Sequence, residues 1–203
     1  MSPAGCLSFI VGQDMIFGHQ SRFAIEAYSE RLPTSPAGVW GRSCIHVCGH
    51  VIGDIHEPHC QLDQFADAIV QAISQLDHDP EWRFAVLDDS EVFEFLDQRL
   101  YRDDGQSIDE MSDDWKHFGR FCFLTNVGEQ FDGWKTFMFT RSDDSVRLLS
   151  RDRVGKVASY SVEKSDLRSA SSGFLEWMEK ERKAAQPGAT DNPDDAQRLR
   201  EDH

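Results

Sequence analysis

The sequence is short of basic residues, with 21 Lys and Arg against 36 Asp and Glu and a formal net charge of −15. Nucleic-acid binding depends on cations that displace the counterions of the phosphate backbone, so this balance argues against DNA or RNA as a direct partner. Long apolar runs are also missing, because stretches such as Phe121–Leu124 and Phe137–Phe139 fall far short of the ~20 residues that span a bilayer. The composition therefore predicts a protein that binds neither nucleic acid nor a membrane.

Familiar catalytic motifs are absent as well. The chain contains no Gly-x-Ser-x-Gly elbow, no phosphate-binding glycine-rich loop and no His-Glu-x-x-His sequence. The amino terminus has no basic segment before its short apolar run, which does not fit a secretory signal, so we expect a cytoplasmic protein. Five cysteines, an odd number, then indicate reduced thiols rather than a disulfide framework.

Cysteine and histidine are concentrated in one short region, which contains Cys44, His46, Cys48, His50, His56, His59 and Cys60. No Cys-x-x-Cys pair occurs, and alternate residues of one strand spread over roughly 20 Å at ~3.3 Å per residue, so only neighbours could share an ion. We therefore expect buried thiols and histidines near turns, with no metal and no cofactor. A metal- or thiol-dependent enzyme centred on Cys44–Cys60 is the alternative.

Hydrophobic periodicity predicts strands at both ends of the chain and helices between and after them. Strand-like runs are Cys6–Val11, Phe23–Tyr28, Val39–Val51, Phe118–Asn126, Trp134–Thr140, Val146–Ser150 and Val154–Tyr160. Helical spacing covers Leu62–Leu76, a segment from Ser90 as N-cap to Leu100, and Lys164–Lys183, whereas Tyr101–Asp114 is predicted to be a long acidic loop. The predicted fold class is α+β, a mainly antiparallel sheet with about three helices packed on one face.

The predicted domain organisation is a single domain with two flanking segments. One domain is expected over residues 15–184, after an N-terminal extension at residues 1–14. Residues 185–203 form a polar, acidic stretch with Pro187, Gly188 and Pro193, and only Leu199 is a large apolar residue there. Such a composition predicts a disordered C-terminal tail.

Negative charge is concentrated in one quarter of the chain. From Asp63 to Asp114 there are 16 Asp and Glu against Arg83, Arg99 and Arg102, a local balance of −13. Clustered like charges repel and destabilise the compact state, so a fold that retains them is expected to use their field to attract a basic partner. The residues predicted to bind that partner are Asp88, Asp89, Glu91, Glu94, Asp97, Asp103, Asp104, Asp109, Glu110, Asp113, Asp114 and Trp115.

Several segments, read in order, resemble the immunity protein 42 family, whose members neutralise toxins of bacterial polymorphic toxin systems. They are MIFGHQSRFAIE at Met15–Glu26, GVWGRSCIHVCGHVIGD at Gly38–Asp54, SEVFEFLDQRLY at Ser90–Tyr101, and FDGWKTFMF followed by RLLSR at Phe131–Arg151. Two departures stand out. Met1–Asp14 precedes the family's opening motif, so Met15 is an alternative start, and Ile45 and His46 stand where an aromatic residue is expected.

The resemblance implies a protein that works by binding and not by catalysis. Its partner is expected to be a cognate toxin, a basic C-terminal toxin domain such as a nuclease, whose active site the protein occludes. Carboxylates can then imitate the phosphate backbone that such a toxin holds and can raise the rate of encounter. An adaptor that loads an effector for secretion is a further alternative, which differs because the bound effector stays active.

Overall fold

The computed structural model describes residues 15–30, 37–57, 59–78, 80–102, 105–141 and 144–185. The predicted extension, the tail beyond Ala185 and the carboxylates of Asp103 and Asp104 lie outside the described residues. The strands are β1 (Met15–His19), β2 (Phe23–Ser29), β3 (Trp40–Val47), β4 (His50–Ile52), β5 (Cys60–Gln61), β6 (Lys135–Thr140), β7 (Ser145–Arg151) and β8 (Val157–Glu163). The α-helices are α1 (Leu62–Gln75), α2 (Asp89–Tyr101), α3 (Ile108–Phe118) and α4 (Lys164–Ala185).

Two antiparallel sheets replace the single sheet expected from the sequence. The first sheet has the order β1-β2-β3-β4, with β5 paired to β3. Its inner face carries Phe23, Ile25 and Ile45, which lie in one apolar core with residues of α1 and α4 such as Phe65 and Phe174. This face explains why the strands of the first third alternate in the sequence.

In the second sheet, β6-β7-β8, strands β6 and β7 are buried on both faces, whereas β8 is largely open to solvent. In β6, Met138 belongs to the core shared with the first sheet, whereas its neighbours Phe137 and Phe139 point into a second core with α2. In β7, Leu148 and Leu149 divide in the same way. A strand covered on both faces loses the alternation of apolar and polar residues, and adjacent residues become apolar, as Phe137–Phe139 and Leu148–Leu149 are here.

The second core is where α2 and α3 attach to the molecule. Val92, Phe93 and Leu96 of α2 are fully buried, and the Phe93 ring meets the Phe137 ring edge-on with centroids 5.1 Å apart. Helix α3 packs mainly against α2, and Phe118 at its end is the residue of α3 that is fully buried. Helix α2 therefore lies on the second sheet, and α3 lies outside α2.

The structure confirms the α+β class and the three predicted helices, which correspond to α1, α2 and α4. Three local predictions are wrong. Residues 108–114 belong to helix α3 and not to a loop, because Ser107 and Glu110 form a capping box that starts a helix there. The segment predicted as a strand at Phe118–Asn126 contains a short 3₁₀ turn and one isolated bridge to β6. The N-cap of α2 is Asp88, not Ser90, since the Asp88 side chain accepts the Glu91 N–H.

Among the described residues, no helix combines the length and apolarity needed to cross a membrane.

Candidate functional site

The predicted acidic surface divides between the two helices, and on α2 much of its charge is used inside the molecule. The Asp88 carboxylate and the Glu91 side chain form the capping box that begins α2. Asp89 accepts a hydrogen bond of 2.5 Å from Ser159 of β8 and lies 3.6 Å from Arg147 of β7 and 3.9 Å from Arg141. These carboxylates begin the helix and attach it to the second sheet.

Asp97 is the centre of an ion-pair network beneath α2. Its side chain is bonded to Lys135 and lies 3.0 Å from Arg151 and 3.4 Å from Arg102, and only 2 % of the residue is exposed. Burial alone would raise the pKa of Asp97, but the hydrogen bonds and charges of Lys135 and Arg151 hold it below the ordinary value. Glu94 is exposed above this network, where it pairs with Arg102 and lies 3.6 Å from Arg151. The structure thus gives Asp97 no surface with which to touch a partner.

Three of the four carboxylates of α3, those of Asp109, Glu110 and Asp113, face solvent instead. The Ser107 hydroxyl accepts the Glu110 N–H, and the Glu110 carboxylate in return accepts the Ser107 N–H at 2.8 Å, which lowers the Glu110 pKa. Asp113 pairs with Lys116 of the same helix at 2.9 Å, and Asp114 lies 3.4 Å from Arg99 of α2. Asp109 is exposed, and within the described part of the chain neither it nor Glu110 has a basic residue in ion-pair distance.

An apolar stripe runs along the same helix. Ile108, Met111 and Trp115 are spaced by three and four residues and therefore share one face of α3. They are 84 %, 45 % and 44 % exposed. Trp115 rests edge-on against Tyr101 of α2 with ring centroids 6.0 Å apart, which holds its position without covering it. Helix α3 is thus strongly amphipathic, yet much of its apolar face has no cover within the described structure.

The sequence pointed to Trp115 but missed Ile108 and Met111 as surface residues. A segment interpreted as a loop gives no reason to test residues three and four apart. The signal that would have found them is the capping box Ser-x-x-Glu at Ser107–Glu110, which predicts a helix start.

A second exposed apolar group lies beside the end of α3. Trp82 and Val86, in and just after a 3₁₀ turn at Trp82–Ala85, are largely exposed. The Arg83 guanidinium lies over both the Trp82 ring and the Phe118 ring, at 5.6 and 5.5 Å from their centroids. This arrangement connects the turn to the C-terminal end of α3.

The fold separates most of the Cys and His residues between Cys44 and Cys60, although Cys44 and His46 stay together on β3. Cys48 occupies a turn with a positive φ of 49°, the His50 ring lies beside Tyr160, and His59 is bonded to Glu30 at 2.7 Å. Burial and the nearby Glu26 raise the pKa of the Cys44 thiol to about 12, and burial likewise raises the pKa of Cys60. Neither thiol has the thiolate character that a nucleophile needs at neutral pH.

Comparison with known proteins identifies a shared fold and a family. The structure is similar to the crystal structure of CdiI from Burkholderia dolosa AUO158, with a TM-score of 0.57 and 12 % sequence identity, over 80 % of this chain and 99 % of that chain. At that identity the likeness shows a shared fold. No curated protein matches the chain in sequence. The sequence profile of the family described as immunity protein 42, however, matches residues 15–177, which is most of the chain, so the protein belongs to the immunity protein 42 family.

Proposed function

We propose that this chain is a cytoplasmic immunity protein that binds a cognate toxin domain and covers its active site or substrate groove with helix α3. The observation that carries the proposal is the exposed stripe of Ile108, Met111 and Trp115 on a helix rich in carboxylates. Protein interfaces combine an apolar or aromatic centre with a polar rim, and α3 presents both on one element. The protein acts by binding and carries no catalytic residue.

The charge of α3 selects the chemistry of the partner. Asp109 and Glu110 have no basic partner among the described residues, and the exposed Asp113 pairs only with an exposed Lys116. Such a surface is complementary to a groove lined with Lys and Arg, as a toxin that holds phosphates would have. We therefore assign a basic toxin domain, such as a nuclease, as the occupant.

The two components of the surface have different roles in binding. Buried apolar and aromatic anchors carry most of the free energy of an interface and set the dissociation rate. Exposed carboxylates mainly raise the association rate, and salt screens their effect over ~8–10 Å. Trp115 and Met111 are the proposed anchors, and Asp109, Glu110 and Asp113 are the proposed steering residues.

The test uses the purified full chain and the toxin domain encoded beside it. Ile108→Arg places a cation at the N-terminal end of the stripe, beside the proposed anchor Met111, and we expect it to weaken binding by about 30-fold or more and to restore toxin activity in the mixture. Val154→Arg is the matched control, because Val154 is 87 % exposed in the β7–β8 turn. Equal affinity of the two variants would exclude α3 as the interface.

Toxin activity separates this proposal from an effector-loading role. An immunity protein abolishes the activity of the toxin domain when the complex forms, whereas an adaptor leaves the bound effector active. A complex that forms with nanomolar or micromolar affinity while the toxin stays fully active would therefore contradict the proposed function.

A further inference from the structure

The outer face of the first sheet carries a group of three different metal-binding side chains. Glu26 of β2 lies directly opposite Cys44 of β3, and His46 follows two residues later, so all three side chains leave the sheet on the same side. Helices α1 and α4 cover the other face, where Ile25 and Ile45 point. Glu26 and His46 are partly open to solvent, and Cys44 is buried beneath them.

The three donor atoms form a compact triangle. The Glu26 Oε2 atom lies 2.5 Å from the His46 Nε2 atom, and the Cys44 Sγ atom lies 3.7 Å from that nitrogen and 3.9 Å from that oxygen. A triangle with these sides has a point about 2.0 Å from all three corners, compared with Zn–N and Zn–O bonds of ~2.0–2.2 Å and Zn–S bonds of ~2.3 Å. A tetrahedral ion at these bond lengths needs the Glu26 oxygen and the His46 nitrogen about 3.3 Å apart, so binding would open their direct hydrogen bond by about 0.8 Å.

The donor set indicates which metal fits. One thiolate, one imidazole and one carboxylate are the ligands of zinc, whereas calcium and magnesium require oxygen ligands alone. A coordinating thiol loses its proton, so zinc binding would release the Cys44 proton to solvent. Glu26 and His46 are partly exposed, so an ion would enter from their side and solvent would supply the fourth ligand.

We propose that Glu26, Cys44 and His46 bind one zinc ion on the outer face of the first sheet, with water as the fourth ligand. The ion would join β2 to β3 and stabilise the folded state by mass action, since the unfolded chain does not hold the three ligands together. The site lies on a different element from α3, so the proposal does not depend on toxin binding.

The structure also supplies an unusually close control. Cys48 is an exposed thiol in the turn that follows β3, four residues after Cys44, and its Sγ atom lies 3.7 Å from the Ser161 carbonyl oxygen and not in the triangle. Cys48→Ser should therefore leave the zinc site intact, while Cys44→Ser should abolish it. If thiols bound the metal nonspecifically, Cys48→Ser would lose more binding than Cys44→Ser, because the Cys48 thiol is the exposed one.

The experiment is a cobalt and zinc titration of the metal-free full chain. Co²⁺ reports thiolate ligation through its charge-transfer absorption, and competition with Zn²⁺ gives stoichiometry and affinity. The native chain and Cys48→Ser are expected to bind one equivalent, show the thiolate band and gain thermal stability with zinc. Cys44→Ser should lose the band, and Glu26→Gln should weaken zinc at least 10-fold.

Two outcomes would overturn the proposal. One is a native chain with no thiolate band and no thermal shift, which would leave His46 and Glu26 as an ordinary ion pair. The other is a band that survives Cys44→Ser and disappears in Cys48→Ser. If Cys44→Ser fails to fold, Glu26→Gln decides the question, because that change keeps the shape of a partly exposed side chain.

Discussion

Helices α2 and α3 are alike in sequence and opposite in how the fold uses them. Each begins with a capping box, from Asp88 and Glu91 in α2 and from Ser107 and Glu110 in α3, and each is acidic. Yet α2 buries its apolar residues in the second core, and cations of the second sheet and of its own C-terminal end neutralise several of its carboxylates. Helix α3 leaves its apolar stripe in solvent.

The difference shows that local charge density is a poor measure of available charge. The carboxylates of α2 lie over strands that carry Lys135, Arg147 and Arg151, far away in sequence. Asp109, Glu110 and Asp113 of α3 meet mainly water, because they lie on the exposed side of the helix. The same acidic segment therefore stabilises the fold at one end and remains free to attract a partner at the other.

The largest expected effect is on stability, from Asp97→Asn in α2. The change leaves Lys135 and Arg151 without their shared carboxylate in a largely buried position, which we expect to cost about 2–4 kcal/mol of unfolding free energy. Asp109→Asn on α3 is the control and should change stability by less than about 0.5 kcal/mol. Urea unfolding of both variants measures the difference, and equal stabilities would remove the distinction between the two helices.

Acid should distinguish the native chain from Asp97→Asn. The folded-state pKa of Asp97 lies below the ordinary value of 3.8. The ionised carboxylate therefore contributes its full stabilisation above about pH 4. This contribution is lost as the pH falls through the lower folded-state pKa. The native chain should therefore lose stability below about pH 4 more steeply than Asp97→Asn. Unfolding curves between neutral pH and pH 3 test this, and parallel pH profiles would contradict it.

The next effect is on binding, from Trp115→Ala in α3. Loss of an aromatic anchor is expected to cost about 2 kcal/mol of binding, or about 30-fold in Kd. Stability should change little, because the indole is half exposed and packs mainly on Tyr101. Calorimetric titration with the toxin domain gives the affinity, and a variant that loses stability but keeps its affinity would assign Trp115 to the core instead.

The two capping boxes offer a smaller and more direct comparison. Asp88→Ala should lower global stability by about 1 kcal/mol, since α2 is part of the second core. Ser107→Ala should fray the start of α3 and leave the global transition nearly unchanged, because Ile108 and Met111 bury little surface. Hydrogen exchange resolved along the chain separates local fraying from global unfolding.

The smallest effect concerns the rate of association. Asp109→Asn combined with Asp113→Asn should slow association severalfold at low salt and leave the dissociation rate almost unchanged. Asp67→Asn on the exposed side of α1 is the matched control, as it removes an exposed carboxylate from a different helix. An association rate that changes neither with the double substitution nor with the salt concentration would show that α3 does not steer the toxin.

Much of the fold followed from the sequence wherever an element has one buried face. Helix α1 was predicted because Leu62, Phe65 and Ile69 recur at helical spacing, and β2 and β3 because their apolar residues alternate. Prediction failed between Tyr101 and Asn126, because α3 buries little of its apolar stripe and the buried residues after it, such as Phe121 and Phe123, lie in an irregular segment. Hydrophobic periodicity is therefore a weak signal there. The candidate site was found by its charge, but its apolar part was missed with helix α3.

By itself the sequence determined the α+β class, the acidic character, the family and the position of the carboxylates along the chain, because these depend on local pattern and composition. Only the tertiary structure decided which carboxylates remain available, since ion pairing joins residues such as Asp97 and Lys135 that are 38 positions apart. It also decided that Cys44 and His46 meet Glu26 across paired strands, because strand register is a relation between segments and no single segment carries it.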